Sequence, residues 1–262
     1  MLAGKCALVT GSLSGLGYAI AEGLAASGCN IVLNGLSAPG DADARMAREG
    51  LEQKFGTGVF YEQADVADLA QIERLVANGA KQFGSIDIVV NNAVLRHFQP
   101  VEKLTPGEWN ESLAVNLTAP FNIIRLTLPM MRARGWGRIF NLSSYYGFRA
   151  AEHRIGYVTT KTALLGMTRA VALEVDGTDI TCNAIIPGTL PTPDILGRIR
   201  KSAENEGISE AQATRKYLAG RRPAGRFVAL ESVAATVVFL CGPGGRDTNG
   251  AALPVDGGWL AS

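Results

Sequence analysis

Short apolar segments alternate along the whole chain with longer segments whose apolar positions recur every three or four residues. The short runs are typical of buried strands, and the longer periodic segments are typical of helices. This pattern predicts strands at 6–10, 30–34, 58–63, 86–91, 138–143, 180–187 and 251–255. It predicts helices near 15–27, 41–54, 68–83, 108–134, 155–175 and 230–241. Strands and helices that alternate in this way form a parallel sheet with helices on both faces.

The order of elements predicts one doubly wound α/β domain of the Rossmann type over residues 1–262, with a mainly parallel seven-stranded sheet. In this fold, ligands bind at the carboxyl ends of the strands. One segment, at about 189–226, breaks the alternation. Because long excursions are usually functional, we expect this segment to be a helical lid over the substrate; a surface insertion without function is the alternative.

The composition and charge of the chain argue against nucleic acid and membranes as binding partners. Hydrophobic residues make up 47% of the chain and charged residues 19%, which favours a folded core over disorder. The formal net charge of +1 offers no attraction for nucleic acid or for a membrane surface. No segment approaches the roughly 18 apolar residues that a membrane-spanning helix needs. We therefore expect a small-molecule substrate, with neither nucleic acid nor membrane as partner.

The cysteines and histidines give no sign of disulfides or of a metal site. The four cysteines are far apart and form no CxxC pair, which predicts reduced thiols in a cytoplasmic protein. The first residues lack a basic region followed by a long apolar run, so no secretory signal is expected. His97 and His153 stand in separate predicted loops, and we expect no metal.

A glycine-rich turn joins the first strand to the first helix. It contains Gly11, Ser14, Gly15, Leu16 and Gly17. Glycines permit a tight turn and let backbone N–H groups approach a pyrophosphate at the helix N-terminus. Because the turn follows the first strand directly, it predicts a dinucleotide-binding site.

The ends of the second and third strands bear on which dinucleotide binds. Asn34 ends the second strand, the place that faces the adenosine ribose in this fold. No lysine or arginine follows it closely to hold a 2′-phosphate, so we expect NAD, with NADP less favoured. Asp65 and Val66 follow the third strand. Asp65 is a candidate for the adenine amino group or for the cap of the next helix, and both roles remain open.

Tyr157 and Lys161 are the candidate acid–base pair. They are four residues apart, so they share one face of a helix. Free tyrosine, with a pKa near 10, is a poor base at neutral pH, but a nearby ammonium favours the phenolate. A solvated pair is the alternative. Ser144 lies thirteen residues upstream, just past a predicted strand, where its hydroxyl would meet a substrate oxygen.

Taken together, these motifs resemble the short-chain dehydrogenase/reductase family in order and spacing. The resemblance rests on the turn at 10–17, Asn91-Asn92-Ala93, Asn116, Ser144, Tyr157, Lys161, Pro187-Gly188 and Val255-Asp256-Gly257-Gly258. It covers essentially the whole chain. It implies an enzyme that moves a hydride between a nicotinamide cofactor and a carbon bearing a hydroxyl or carbonyl. A cofactor-binding regulator without activity is the alternative outside catalysis.

The resemblance also implies the role of each catalytic residue. Tyr157 would be the general acid/base, and Lys161 would stabilise its phenolate and hold the nicotinamide ribose. Ser144 would orient the substrate carbonyl, whereas Ser143 stands one residue too far from Tyr157. Asn116 would kink its helix and hold a water that relays protons.

Further cofactor contacts are implied around the nicotinamide, at Asn92, Ala93, Pro187, Gly188 and Thr192. One position departs from the family pattern, because Val94 stands where the family usually has glycine. A β-branched side chain there either packs away from the cofactor or crowds it.

Within the family, the chain resembles bacterial D-3-hydroxybutyrate dehydrogenases, which use NAD and hold the substrate carboxylate with a glutamine, a histidine and a lysine. The corresponding substrate positions here are Arg96, Tyr146 and Arg154, with Thr189 in place of a lid tryptophan, Arg198 in place of a lid glutamine, and Trp259 retained. The resemblance implies an anionic substrate, either 3-hydroxybutyrate or a bulkier hydroxy acid. Arginines that are solvated or paired with acidic residues at the surface are the alternative. A sugar, a cyclic alcohol or a 3-oxoacyl thioester is the alternative substrate. The family resemblance also implies a homotetramer, formed through the helices at 108–134 and 155–175.

Overall fold

The computed structural model of the 262-residue chain describes residues 2–219 and 225–261. Seven parallel strands form one sheet in the order β3-β2-β1-β4-β5-β6-β7. They are β1 (Cys6–Val9), β2 (Asn30–Gly35), β3 (Val59–Gln63), β4 (Ile88–Asn91), β5 (Gly137–Leu142), β6 (Ile180–Pro187) and β7 (Ala252–Val255). The strand order reverses between β1 and β4, which is where a doubly wound sheet opens a crevice for ligands. The predicted fold class is confirmed.

The helices cover both faces of the sheet. They are α1 (Gly15–Ala26), α2 (Ala42–Phe55), α3 (Leu69–Phe83), α4 (Pro106–Leu113), α5 (Ala119–Arg134), α6 (Ile155–Glu174), α7 (Pro193–Glu206), α8 (Glu210–Ala219) and α9 (Leu230–Cys241). Side chains alternate across a strand, so β1 sends Ala7 and Val9 into the core under α1, α2 and α9. It sends Cys6 and Leu8 into the core under α3 and α5. None of the helices in the described part of the chain is long and apolar enough to cross a membrane.

The helix predicted near 108–134 is interrupted. It begins earlier, at Pro106, where Thr105 and Glu108 form a reciprocal capping box. A π-helical turn at Ala114–Thr118 then separates α4 from α5. Such wide turns inside α-helices are frequent at functional sites. The periodic pattern predicted one continuous helix here and did not reveal this break.

The excursion between β6 and α9 contains two helices, α7 and α8, as the pattern in its middle predicts. They have a small core of their own, formed by Ile199, Ala203 and Ala213. Gly207, with φ +63°, ends α7 in the left-handed conformation that glycine adopts freely. The residues 220–224 of the predicted lid lie outside the described part of the chain.

Candidate active site

A cavity of about 440 Å³ opens at the carboxyl ends of β1, β4, β5 and β6, beneath α7 and α8. Its wall brings together segments that are far apart in the sequence. The predicted site residues in the wall are Gly11, Ser14, Gly15, Leu16, Gly17, Asn92, Ala93, Arg96, Ser144, Tyr146, Arg154, Tyr157, Lys161, Pro187, Gly188, Thr189, Thr192 and Arg198. The predicted residues that lie outside the wall are Asn34, Asp65, Val66, Asn116 and Trp259.

The glycine-rich turn forms one end of the cavity. A Cβ on Gly17 would lie 2.3 Å from the carbonyl oxygen of Gly11 and 2.6 Å from the Asn92 amide nitrogen, so only glycine fits there. Asn92 Nδ2 donates to the carbonyl oxygens of Thr10 and Gly11, at 2.9 Å each. The N-cap of α1, Ser14, makes no side-chain capping bond. The first N–H groups of α1 therefore remain available to an anion, and the turn fits a pyrophosphate.

The ends of β2 and β3 differ from the expectation for the adenosine site. The Asn34 side chain is buried, where its Oδ1 accepts from the backbone N–H of Gly11 at 3.3 Å. Its Nδ2 donates to the carbonyl oxygens of Ala64, at 3.0 Å, and Glu62, at 3.4 Å. The amide is thus engaged by the protein's own backbone. Leu36, two residues later, is 70% exposed.

Asp65 does not cap α3, so that alternative is wrong. The cap is Asp68, whose carboxylate accepts from the backbone N–H groups of Ala70 and Gln71. Asp65 instead accepts from the N–H of Ala67 at 2.9 Å, within the loop, and the Val66 side chain is buried. The contact of Asp65 with adenine therefore stays a prediction.

The helix α6 presents Tyr157 and Lys161 to the cavity. Both side chains are buried among the loops that follow β4 and β5, and the ammonium nitrogen of Lys161 lies 5.7 Å from the centre of the Tyr157 ring. Lys161 Nζ donates to the carbonyl oxygen of Leu142 at 2.5 Å. Burial, together with the nearby charge of Arg96, lowers the pKa of Lys161 to about 7. The pair is therefore buried and desolvated rather than a solvated surface pair.

The two serines after β5 have different surroundings. Ser143 Oγ donates to the backbone carbonyl of Lys161 at 2.8 Å, so this hydroxyl ties β5 to α6. Ser144 Oγ accepts from the N–H of Tyr146 at 3.2 Å and faces the cavity. An accepted bond leaves the Ser144 proton available to a substrate oxygen.

Asn116 lies in the π-helical turn, behind the cavity wall. Its Oδ1 accepts from the N–H of Leu95, and its Nδ2 donates to the carbonyl of Leu95, both at 2.8 Å. Nδ2 also lies 3.4 Å from Thr160 Oγ1, next to Lys161 on α6. Asn116 therefore fastens the loop after β4 to the helix that carries the acid–base pair.

Arginines and aromatic rings alternate at the other end of the cavity. The Arg96 Cζ atom lies 5.2 Å from the centre of the Tyr157 ring. Tyr146 meets Tyr157 edge-on, with ring centres 6.1 Å apart. Arg154 Cζ lies 5.2 Å from the Tyr146 ring and 4.3 Å from the Phe98 ring.

The lid helix joins this arrangement through Arg198. Its Cζ lies 5.8 Å from the centre of the Phe98 ring, and its Nη2 lies 3.1 Å from the carboxylate of Asp194. Phe98 thus contacts one arginine from the start of α6 and one from α7. An exposed phenylalanine in a loop carries no signal in the sequence, so this residue was not predicted.

The C-terminal tail supports the cavity from behind. Asp256 accepts from the N–H groups of Gly258 and Leu260, which turns the chain so that Trp259 packs on Tyr145 with ring centres 4.2 Å apart. Trp259 is not among the described residues that line the cavity, and its predicted contact with the substrate stays a prediction. Val94 does line the cavity. Among the described residues, no three His, Cys, Asp or Glu side chains gather as a metal site would require.

Known proteins resemble this chain over its full length. A family model described as enoyl-(acyl carrier protein) reductase matches residues 11–260. The D-beta-hydroxybutyrate dehydrogenase of Cupriavidus necator is 41% identical over 261 residues, which is 100% of both chains. The enzyme with the same name from Rhizobium meliloti is 37% identical over 257 residues, 98% of this chain and 99% of that relative.

Among solved structures, the L-sorbose reductase of Gluconobacter frateurii, complexed with NADPH and L-sorbose, matches with a TM-score of 0.94. It is 31% identical, and the match covers 100% of this chain and 98% of that one. The family model, the relatives and the solved structure all point to the same family of oxidoreductases. The chain therefore belongs to the short-chain dehydrogenase/reductase family and is an oxidoreductase that interconverts a secondary alcohol and a ketone with a nucleotide cofactor.

Proposed function

We propose that the substrate is a 3-hydroxy carboxylate, D-3-hydroxybutyrate or a bulkier analogue, and that the cofactor is NAD. The observation that carries this proposal is the position of Arg96 and Arg154 in the cavity wall beside Tyr157 and Tyr146. A guanidinium presents a fork of N–H donors that matches a carboxylate. The similarity to D-beta-hydroxybutyrate dehydrogenases supports the same substrate class.

The residues around the glycine-rich turn would hold the cofactor. The turn and the N-terminus of α1 would bind the pyrophosphate, and the other end would rest against Lys161, Pro187, Gly188 and Thr192, all in the same wall. When bound, the nicotinamide supplies the hydride acceptor for oxidation of the alcohol.

The protein's own contribution is proton transfer and orientation. Tyr157 takes the proton of the substrate hydroxyl during oxidation and returns it during reduction. Ser144 donates a hydrogen bond to the substrate oxygen. Lys161, whose Nζ lies 5.7 Å from the centre of the Tyr157 ring, would hold the nicotinamide ribose. Asn116 holds the loop after β4 against helix α6. It also holds the water of the proton relay.

Acidic groups near the end of β2 support the choice of NAD over NADP. Asp43 accepts from the hydroxyl of Ser37 at 2.6 Å, and Asp41 accepts from the N–H of Ala38 at 2.8 Å. Asp41 is the N-cap of α2 and Asp43 lies in its first turn, directly after the loop that follows Gly35. A ribose 2′-phosphate placed there would meet negative charge and no cation from that loop.

A comparison of acids with neutral esters tests the substrate class. We expect a higher kcat/KM for D-3-hydroxybutyrate than for its methyl ester, with NADH formation followed by absorbance. Arg154→Met should lower kcat/KM for the acid by roughly 10- to 150-fold, because a charge-assisted hydrogen bond is lost, and should change the ester little. Arg200→Met, exposed on α7, is the matched control. Equal losses for acid and ester would refute the carboxylate assignment.

A sugar ketone is the second candidate substrate, because the L-sorbose reductase structure matches so closely. Activity of the wild-type protein with L-sorbose and NADPH that exceeds its activity with D-3-hydroxybutyrate and NAD would favour this candidate.

We also propose a homotetramer in the cytoplasm. Phe121 on α5 and Leu173 on α6 are 52% and 80% exposed, so each of these helices presents a large apolar side chain that a partner subunit would cover. Light scattering of the purified protein measures the assembly. The four cysteines are free thiols, as a reducing compartment favours.

A further inference from the structure

Positive charge exceeds negative charge in the wall of the active-site cavity. Arg96, Arg154, Lys161 and Arg198 line it, and within the described residues Asp194 is the one acidic side chain that does. Asp194 already pairs with Arg198 at 3.1 Å. Arg96 and Arg154 have no carboxylate partner in the described part of the chain, and their guanidinium groups lie on aromatic rings instead. Among the described residues beside the reacting centre, neither arginine therefore has an anionic partner; Arg96 is exposed to solvent and Arg154 is half-buried.

These two arginines flank Tyr157 from different parts of the chain. Arg96 comes from the loop after β4 and lies over the Tyr157 ring itself. Arg154 is the N-cap of α6 and contacts the Tyr146 ring, which in turn meets Tyr157 edge-on. Stacking uses the flat face of a guanidinium and leaves the N–H donors at its edge available to an anion.

One substrate carboxylate would pair with one of these forks and leave the other without an anionic partner. We propose that the substrate carries two carboxylates, one for Arg96 and one for Arg154, so that the enzyme acts on hydroxy dicarboxylates whose hydroxyl-bearing carbon lies between the two acid groups. This inference deepens the proposed function and rests on it. It explains why both positions are arginine rather than one arginine beside a neutral polar residue.

The direct test compares three substrates that differ in charge: 3-hydroxyglutarate, its monomethyl ester and D-3-hydroxybutyrate. With NAD and the wild-type protein, we expect kcat/KM for 3-hydroxyglutarate to exceed that for each of the others by roughly 10- to 100-fold, from one additional charge-assisted contact. Calorimetric titration of the NADH-bound protein gives a readout that needs no turnover. Glutarate should bind more tightly than butyrate by a similar factor.

Two variants assign the second carboxylate to its partners. Arg96→Gln and Arg154→Gln should each reduce the preference for 3-hydroxyglutarate over its monomethyl ester to about threefold or less, because only one fork remains. Arg154→Lys keeps the charge but not the fork, and should retain part of the preference. Arg200→Gln, exposed on α7 and outside the cavity wall, should keep all of it.

The failures are distinguishable. Equal kcat/KM for 3-hydroxyglutarate and D-3-hydroxybutyrate, or equal affinity for glutarate and butyrate, would overturn the dicarboxylate assignment and leave the hydroxy-acid function standing. Oxidation of neither acid, with turnover of a neutral alcohol, would overturn both. If both Arg→Gln variants kept the wild-type preference for 3-hydroxyglutarate over its monomethyl ester, the assignment would also be overturned, since neither arginine would then bind the second carboxylate.

Discussion

At the residue scale, the buried position of Lys161 lowers the stability of the fold and also places its ammonium beside Tyr157. Its ammonium is buried, has one hydrogen-bond acceptor in Leu142 and lies near the positive charge of Arg96. A charged group so placed is less stable than the same group in water, because the protein replaces only part of its hydration. The same position puts a positive charge 5.7 Å from the ring of Tyr157. The buried charge beside Tyr157 is therefore expected to destabilise the fold.

The first prediction follows from the pKa of Lys161, which the fold lowers from 10.5 to about 7. Between these values the unfolded chain binds a proton that the folded chain has lost, so the stability of the wild type rises with pH across this window. Lys161→Met removes the group. Its stability relative to the wild type should be highest at or below about pH 7 and should fall toward pH 10, by a few kcal/mol as an order of magnitude.

Denaturant unfolding of the cofactor-free protein at several pH values measures this difference. Lys201→Met, exposed on α7, is the control and should show no such trend. A difference between Lys161→Met and the wild type that does not change with pH would contradict the account of Lys161.

The second prediction concerns cofactor choice at the end of β2. Leu36→Arg should raise kcat/KM for NADP by about tenfold or more, because Leu36 is 70% exposed and an arginine there can reach a 2′-phosphate. Leu36→Gln has no charge and should leave NADP use low. Gly35 is unsuitable for the same change, since a Cβ there would lie 2.6 Å from Leu13. Steady-state kinetics with both cofactors decide the matter, and an unchanged NADP rate in Leu36→Arg would place the ribose elsewhere.

At the scale of elements, two irregular turns build the site. The glycine-rich turn lets β1 enter α1 with the helix N-terminus open to the cavity, and Gly11 and Gly15 take φ of +60° and +57° to do so. The π-helical turn at Ala114–Thr118 brings Asn116 against the loop after β4. Each turn therefore places polar groups near the cavity: the N–H groups at the start of α1 and the side chain of Asn116.

The third prediction tests the glycine-rich turn with a matched pair of substitutions. Gly17→Ala should weaken NADH binding by at least about tenfold, because its Cβ would lie 2.3 Å from the Gly11 carbonyl and force the turn open. Gly166→Ala, inside α6, meets nothing within 4 Å and should stabilise the protein by up to about 1 kcal/mol. NADH fluorescence titration and thermal unfolding measure the two effects. Normal NADH affinity in Gly17→Ala would mean that the turn does not hold the cofactor.

At the scale of the whole molecule, the sheet and the acid–base pair could be predicted from the sequence. Strand periodicity predicts the sheet, and the spacing from Ser144 to Lys161 predicts the acid–base pair. Both signals involve residues that are close in sequence, so they can be recognised without knowledge of the fold. The engagement of the Asn34 amide by Ala64 could not be predicted, because the two residues meet only when β2 and β3 pair.

The end of the cavity that carries the arginines and aromatic rings was the least predictable part of the molecule, again because its residues meet only in the folded chain. Phe98 lies between Arg154 and Arg198, three residues from three separate segments. Trp259 packs behind Tyr145 instead of lining the cavity. Contacts of this kind depend on how loops approach one another over the sheet, and neither composition nor periodicity records that approach.

The most direct test of the central claim is the turnover of Tyr157→Phe with D-3-hydroxybutyrate and NAD, measured beside NADH binding in the same preparation. The substitution removes one hydroxyl from a buried ring and leaves its packing nearly unchanged. We predict that kcat falls by roughly 10²- to 10⁴-fold while the Kd for NADH stays within about twofold of the wild type. Near-normal turnover of Tyr157→Phe would contradict the assignment of Tyr157 as the general acid/base, and with it the mechanism proposed for this enzyme.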